Sequence, residues 1–374
     1  MGTPHLIVKE LSYNFTNKVF SFFESKVLLF CFLSSFFIFL ISALIINIYY
    51  SNIDYKYLIF LSSLFTIFNS IFFYYFIAIK KIILGNFIDQ ILKYLLLIVF
   101  IFLVFFLNIQ FTIYNLIIIY CMANLTIFFI FILFTVNEKK IFLKENNKEI
   151  KYKEYFKYIF FTGLTSLFTI LNTKIDILLI KYFLDEIQVS IYGIGSQLSL
   201  IMNMPLVVFL HILMPKIASL IKKKKQMQLN ILSDLYRFML FFLCTLVMLS
   251  LVLYYKNIIL LFFNENYLES YNIFIIISLS YLIMSLFSFN DIFLIYSGKE
   301  FKILVCMFSS FLINICTSLI LIPNYGIFGA AIALSLSNVI LSFSLFIINI
   351  KNNYLFRYIH RIIFKNKLWL IKKL

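Results

Sequence analysis

The chain has little of what builds loops and water-facing surfaces. Its 374 residues include eight glycines, four prolines and one tryptophan, and only 13% are charged, against 63% apolar. Soluble domains carry about a quarter charged residues and about half apolar ones. A soluble fold of this length could not hide so much apolar side chain, because its surface grows with its size. The mean hydropathy of +1.01 leaves lipid as the fitting solvent. The five cysteines, Cys31, Cys121, Cys244, Cys306 and Cys316, form no C-x-x-C pair and all lie in apolar runs. That argues against disulfide or metal roles and for soft packing. There is no G-x-x-x-x-G-K-S/T loop, no cluster of metal ligands and no nucleophile elbow. The expectation is therefore no ATPase, no cofactor, no bound metal and no catalytic residue. The first 26 residues are polar and no small-residue cleavage site follows the first apolar run, so no cleavable signal peptide is expected.

Carboxylates are scarce too. Sixteen Asp and Glu face 32 Lys and Arg, a net charge of +16. In a soluble protein that excess would suggest nucleic acid. Here the basic residues fall between apolar stretches, which points to membrane orientation and away from a nucleic-acid partner. Only three of the basic residues are Arg, and Lys, Ile, Asn, Phe and Tyr dominate. All five have A/T-rich codons, so the 49 Phe and 25 Tyr need no functional explanation.

A membrane-spanning helix needs about 20 mostly apolar residues. Ten stretches qualify: 27–50, 57–79, 90–107, 112–136, 158–181, 187–213, 236–255, 272–296, 302–323 and 327–350. The fold class expected is an all-α polytopic transmembrane bundle. With the N-terminus placed inside, the alternating connections hold 28 Lys and Arg on the inner side, against Lys56, Lys181 and Lys256 outside. Such asymmetry places both termini in the cytoplasm. The longest connection, 137–157, is dense in both charge signs and separates four spans from six. The expected organisation is a four-span lobe (1–136), a charged cytoplasmic linker (137–157), a six-span lobe (158–350) and a basic tail (351–374). In the tail, Tyr354, Tyr358, Ile359, Ile362 and Ile363 alternate with Arg357, Arg361 and Lys365. That spacing fits either an interfacial helix on anionic lipid or a basic anchor. The outside connections are all short, the longest near 256–271, which leaves no room for an external catalytic domain.

Ionisable groups inside spans are costly, which makes them functional candidates. Lys174 and Asp176 fall in the fifth span and Asp291 in the eighth. Lys174 and Asp176 are two positions apart, point to different helix faces and cannot pair well. Each either lines a polar pathway for substrate or ion or finds another outlet; Lys174 can snorkel outward, and Asp291 near the inner end can be solvated. The sixth span carries Gln197, Asn203, Pro205, His211 and Pro215. Two prolines ten residues apart will bend or break a helix. Broken helices at membrane depth either face a binding cavity or are structural kinks. The run LIPNYGIFGAAIALSLSN (321–338) places Pro323 at a turn, with Gly326, Gly329, Ala330 and Ala331 as a small-residue packing stretch.

Two stretches resemble the polysaccharide-unit flippases, the Wzx or O-antigen translocase type, of the superfamily that also holds MATE multidrug exporters and lipid II flippases. In 172–220 the matching positions are Asp176, Tyr192, Pro205, Pro215, Ile217 and Ala218; in 296–338 they are Gly298, Lys299, Asn314, Pro323, Gly326, Gly329, Ala330 and Ala331. The Pro-x-x-Gly-x-x-Gly-Ala-Ala run with its upstream Asn is the more specific signature. The likeness covers 158–350 well and the earlier spans loosely. It implies flipping of an undecaprenyl-pyrophosphate-linked oligosaccharide across the bacterial inner membrane by alternating access, with gradient coupling through a membrane carboxylate. Membrane lipids, a polysaccharide polymerase and chain-length machinery are the implied partners. Family members usually have two lobes of six spans. The opening MGTPHLIVKELS looks like the end of a second family helix, so the first two helices are expected to be absent. A small-molecule or drug exporter of the same superfamily and a membrane-embedded polymerase or ligase are the competing readings.

Overall fold

The computed structural model describes residues 2–14, 22–49, 56–108, 112–139 and 152–349. Every regular element among them is helical: α1 (Thr3–Asn14), α2 (Phe22–Tyr49), α3 (Lys56–Ala78), α4 (Ile82–Asn86), a π-helical turn (Phe87–Leu92), α5 (Lys93–Phe106), α6 (Ile113–Lys139), α7 (Tyr152–Phe183), α8 (Glu186–Ser199), a 3₁₀ turn (Leu200–Asn203), α9 (Met204–Lys222), α10 (Gln226–Phe262), a second 3₁₀ turn (Glu265–Glu269), α11 (Ser270–Leu286), α12 (Asn290–Tyr296) and α13 (Glu300–Ile348). In hydrocarbon an open strand or loop leaves backbone groups unpaired, whereas a helix satisfies its own. A chain this apolar therefore becomes helix.

Eight helices among the described residues are long and apolar enough to cross a membrane. The difference from the ten spans expected lies in two places. The first expected span falls on α2, one helix of 28 residues that is not among the eight. The last two are merged in α13, whose 49 residues would reach about 73 Å if straight, over twice a bilayer core. They do not run straight. Gly326 has φ 60° and ψ −139° inside α13, a conformation only glycine adopts freely. The chain reverses there: Ser310 Oγ donates to the Ser337 carbonyl at 3.0 Å, and a Cβ on Gly329 would collide with the Leu321 carbonyl. Pro323 sits within the helix just before this reversal; the glycine, not the proline, makes the turn.

Other boundaries shift for local reasons. The eighth expected span, 272–296, is not continuous. α11 stops at Leu286 and α12 starts at Asn290, with Phe289 between them in the left-handed region at φ 69°. Asp291 is therefore in the first turn of α12 rather than inside a span. In the sixth, the break falls at the 3₁₀ turn 200–203, and Pro205 is the second residue of α9, where its missing N–H costs nothing. α9 continues helical through Pro215. The third begins at Ile82, eight residues earlier than expected, by way of the π-helical turn. Of the charged connection, residues 140–151 lie outside the described residues, as does the basic tail from 350 onward.

The chain divides into two compact units, residues 1–163 with 214–219 and residues 164–213 with 220–374. In the first, phenylalanines from three helices interlock: Phe32 of α2 lies 5.2 Å from Phe72 of α3, which stacks at 6.0 Å on Phe131 of α6. There Asn69 of α3 also donates to the Asn124 carbonyl of α6 at 2.9 Å. In the second, α8 approaches α11 so closely that a Cβ on Gly195 would lie 2.7 Å from the Ser270 carbonyl. Tyr255, Ile259 and Phe274 fill the α10–α11 contact. Large apolar side chains elsewhere face outward, such as Phe102, Leu253 and Phe262. Aqueous solvent would penalise each of these by about 1.5–3 kcal/mol relative to burial; lipid does not.

Candidate functional site

The second unit holds a buried polar cluster between apolar helices. It starts from α7, where Asn172 and Asp176 are four residues apart and so share a helix face. Asp176 is 0% exposed. Tyr192 of α8 donates its hydroxyl to Asp176 Oδ2 at 3.2 Å, and Ser318 of α13 donates to Oδ1 at 3.2 Å. Asn314, one turn before Ser318, also faces the carboxylate. Its amide Nδ2 donates to the Asn172 carbonyl at 3.0 Å, and its Oδ1 accepts from Ser318 at 3.4 Å. From the returning half of α13, Ser337 accepts from Asn172 Nδ2 at 3.4 Å. Tyr192, Ser310, Asn314, Ser318 and Ser337 are all buried.

Three features decide what the cluster can do. The carboxylate has no Lys or Arg partner among the described residues. All the side chains around it are neutral hydroxyls and amides. Asn172 Oδ1, one turn away, is buried with no hydrogen-bond partner. An unpaired carboxylate in hydrocarbon costs several kcal/mol, so such a pocket favours a neutralising proton or a small hard cation. Carboxylate and amide oxygens are the donors such a cation prefers. Among the described residues no group of three or more His, Cys, Asp and Glu forms a multi-residue metal site.

The other candidates lie apart from this cluster. Lys174 and Gln197 are exposed, Asn203 half-buried at the end of the 3₁₀ turn, and Asp291 half-buried in α12. None is a hydrogen-bond partner of Asp176. His211 is buried. Pro205 and Pro215 lie in α9, while Pro323, Gly326 and Gly329 shape the reversal of α13. Conversely, Asn172, Ser310, Ser318 and Ser337 were not singled out from the sequence. The signal was there, in polar residues at four-residue spacing within apolar spans: 172 and 176, then 310, 314 and 318.

A second network was also missed. Arg237 reads in the sequence as one more inner-side charge, yet it is only 6% exposed. Its guanidinium donates from Nε to the Ser288 carbonyl at 3.0 Å, from one terminal nitrogen to Asp234 at 3.2 Å, and from the other to Asn290 Oδ1 at 3.0 Å. Asn349 donates to the same Asn290 oxygen at 3.1 Å. One planar fork thus ties α10, the strained turn at Phe289 and the end of α13 together, as guanidinium geometry permits and an ammonium does not.

No family profile matches the sequence, and no curated protein does. Solved structures do share the fold. A mutant of the Vibrio cholerae MATE transporter VcmN superposes with a TM-score of 0.72 at 14% identity, covering 94% of this chain and 83% of that one. The MATE transporter ClbM, in complex with Rb+, gives 0.70 at 12%, covering 92% and 80%. A MOP superfamily transporter from Pyrococcus furiosus gives 0.67 at 10%, covering 94% and 82%. At these identities the likeness establishes the fold alone: a multi-pass helical membrane bundle with the architecture of the MATE transporters of the MOP superfamily.

Proposed function

We propose that this chain flips undecaprenyl-pyrophosphate-linked oligosaccharide units across the bacterial inner membrane by alternating access, driven by a proton or small cation held at Asp176. The observation that carries the transport reading is Asp176 itself: a fully buried carboxylate without a basic partner among the described residues, held by Tyr192 and Ser318 from two other helices. A purely structural carboxylate would be replaced by an amide or hydroxyl at lower cost. Binding and release of a neutralising ion would change the hydrogen-bond demand on α8 and α13 together, which gives the ion leverage on two helices. The substrate class rests on the resemblance of 172–220 and 296–338 to polysaccharide-unit flippases. A polymerase and chain-length machinery would consume the flipped unit outside.

Deletion of the gene should abolish surface polysaccharide, and this reading frame should restore it. Surface polysaccharide unchanged by deletion removes the substrate assignment. Export of small molecules or drugs is the second reading, favoured by the architecture shared with transporters such as VcmN and ClbM. It predicts increased sensitivity to cationic dyes on deletion, with polysaccharide intact.

A further inference from the structure

Three helix ends are built to one plan. α3, α9 and α12 each finish in a Schellman turn: Lys80 N–H to the Ile77 carbonyl (3.0 Å) with Lys81 to Phe76 (2.9 Å); Lys224 to Ile221 (3.0 Å) with Lys225 to Leu220 (3.1 Å); Gly298 to Ile295 (3.3 Å) with Lys299 to Leu294 (3.0 Å). The residue at the centre of such a turn must be left-handed, and glycine is its usual occupant. Only the third turn uses glycine, at φ 78°; Lys80 and Lys224 take φ 63° and 55°. A β-carbon is strained there. Glycine is scarce in this chain, but scarcity alone does not select lysine. Where α5 ends, on the lysine-poor side, the equivalent residue is Asn108 at φ 50°, and asparagine tolerates this conformation better.

The residue following each centre is also lysine, at 81, 225 and 299, and all the lysines of the three turns are exposed. In the second unit they form one end of the bundle. α10 starts and α11 finishes at the same end, since the two pack antiparallel. That end carries Lys222 to Lys225, Lys299 and Lys302, with Glu300 the one carboxylate beside these turns. The opposite end carries Asp185, Glu186, Glu265 and Glu269 against only Lys181, which pairs with Glu186 at 3.3 Å, and Lys256. The two ends thus differ in net sign, and the basic one lies where helices long and apolar enough to cross a membrane begin and end.

We infer that these lysine turns are docking surfaces for the anionic phosphate headgroups of the surrounding leaflet. The left-handed lysines hold ammonium groups at the helix mouths, and a glycine there would make the turn at lower cost but leave it uncharged. A lysine close to an anionic surface is worth about fivefold in local lipid concentration, and the attraction is screened by salt.

The test reconstitutes the full chain in nanodiscs of mixed phosphatidylglycerol and phosphatidylethanolamine and measures the ratio of the two lipids retained around the protein. The wild-type chain should enrich phosphatidylglycerol, and the enrichment should fall as salt rises. Lys80→Gly and Lys224→Gly keep the turns, so these variants should fold with unchanged or higher thermal stability. Combined with Lys81→Gln, Lys222→Gln, Lys223→Gln and Lys225→Gln, they should reduce the enrichment about fivefold or more, whereas Arg at the same six positions should retain it. A lipid ratio that ignores salt in the wild-type chain, or survives removal of all six charges, overturns the proposal.

Discussion

Ser318 donates a hydrogen bond to Asp176 across 142 positions of sequence, at 3.2 Å, and so ties the first half of α13 to the C-terminal third of α7. Tyr192 completes the grip from α8. The carboxylate therefore senses three helices at once, and substitutions around it should separate transport from folding.

Asp176→Asn keeps the size and most hydrogen-bonding capacity of the side chain but removes the charge. Transport should fall about tenfold or more, roughly 1.4 kcal/mol on the limiting step, with protein abundance unchanged. Parallel measurement of polysaccharide display and of protein level in membranes separates the outcomes. An equal loss of both would mark Asp176 as structural. Ser318→Ala removes one donor and should have the same direction of effect but a smaller one.

Lys174 is exposed on α7, and Lys174→Gln should leave transport within about twofold, as surface changes usually do. The same complementation assay checks this beside Asp176→Asn. A loss as large as that of Asp176→Asn would move Lys174 into the pathway.

Gly329→Ala should destabilise the fold strongly, by about 2 kcal/mol or more, because the added carbon meets the Leu321 carbonyl rather than a side chain that can rotate away. Gly193→Ala is the matched control. Nothing lies within 4 Å of a Cβ there, and an alanine in mid-helix gains up to about 1 kcal/mol over glycine. Thermal unfolding in detergent should move in opposite directions for the two. Similar shifts would contradict the tight return of α13.

Arg237→Leu should cost about 3–5 kcal/mol, since it removes the buried ion-pair partner of Asp234 and the donor to the Ser288 carbonyl. Arg237→Lys should recover only part of this, because an ammonium cannot reach three acceptors in one plane. Arg237→Leu with Asp234→Leu should be more stable than Arg237→Leu alone. Thermal unfolding of the wild type, Arg237→Leu, Asp234→Leu and the double variant forms the cycle; strict additivity would mean that the pair does not interact.

Much of the bundle was legible from local chemistry. Apolar runs placed the helices, and Gly326, Gly329 and the alanines after them marked a place where backbones meet. What misled was proline in the sixth span: Pro205 and Pro215 drew attention to a bend, while α9 runs helical through both and the break falls at the 3₁₀ turn 200–203; the turn expected at Pro323 is there, made by Gly326. The interruption at Phe289 left only a weak sequence signal, the turn-favouring Ser288, Asn290 and Asp291 around it. A left-handed phenylalanine is disfavoured locally and persists because Arg237, half a helix away in another element, holds the neighbouring carbonyl.

Hydrophobicity is a property of the residues themselves, so the sequence alone determined the solvent, the helical class, the approximate spans and the candidacy of Asp176. A hydrogen bond depends on where two atoms stand, and position across 142 residues is set by packing. Only the tertiary structure decided that Asp176 joins Tyr192, Asn314 and Ser318 and not Lys174, that Arg237 is a buried tie rather than a surface charge, and that α13 folds back on itself. The lysine turns show both levels together: their charge is read from the sequence, and their left-handed presentation only from the backbone.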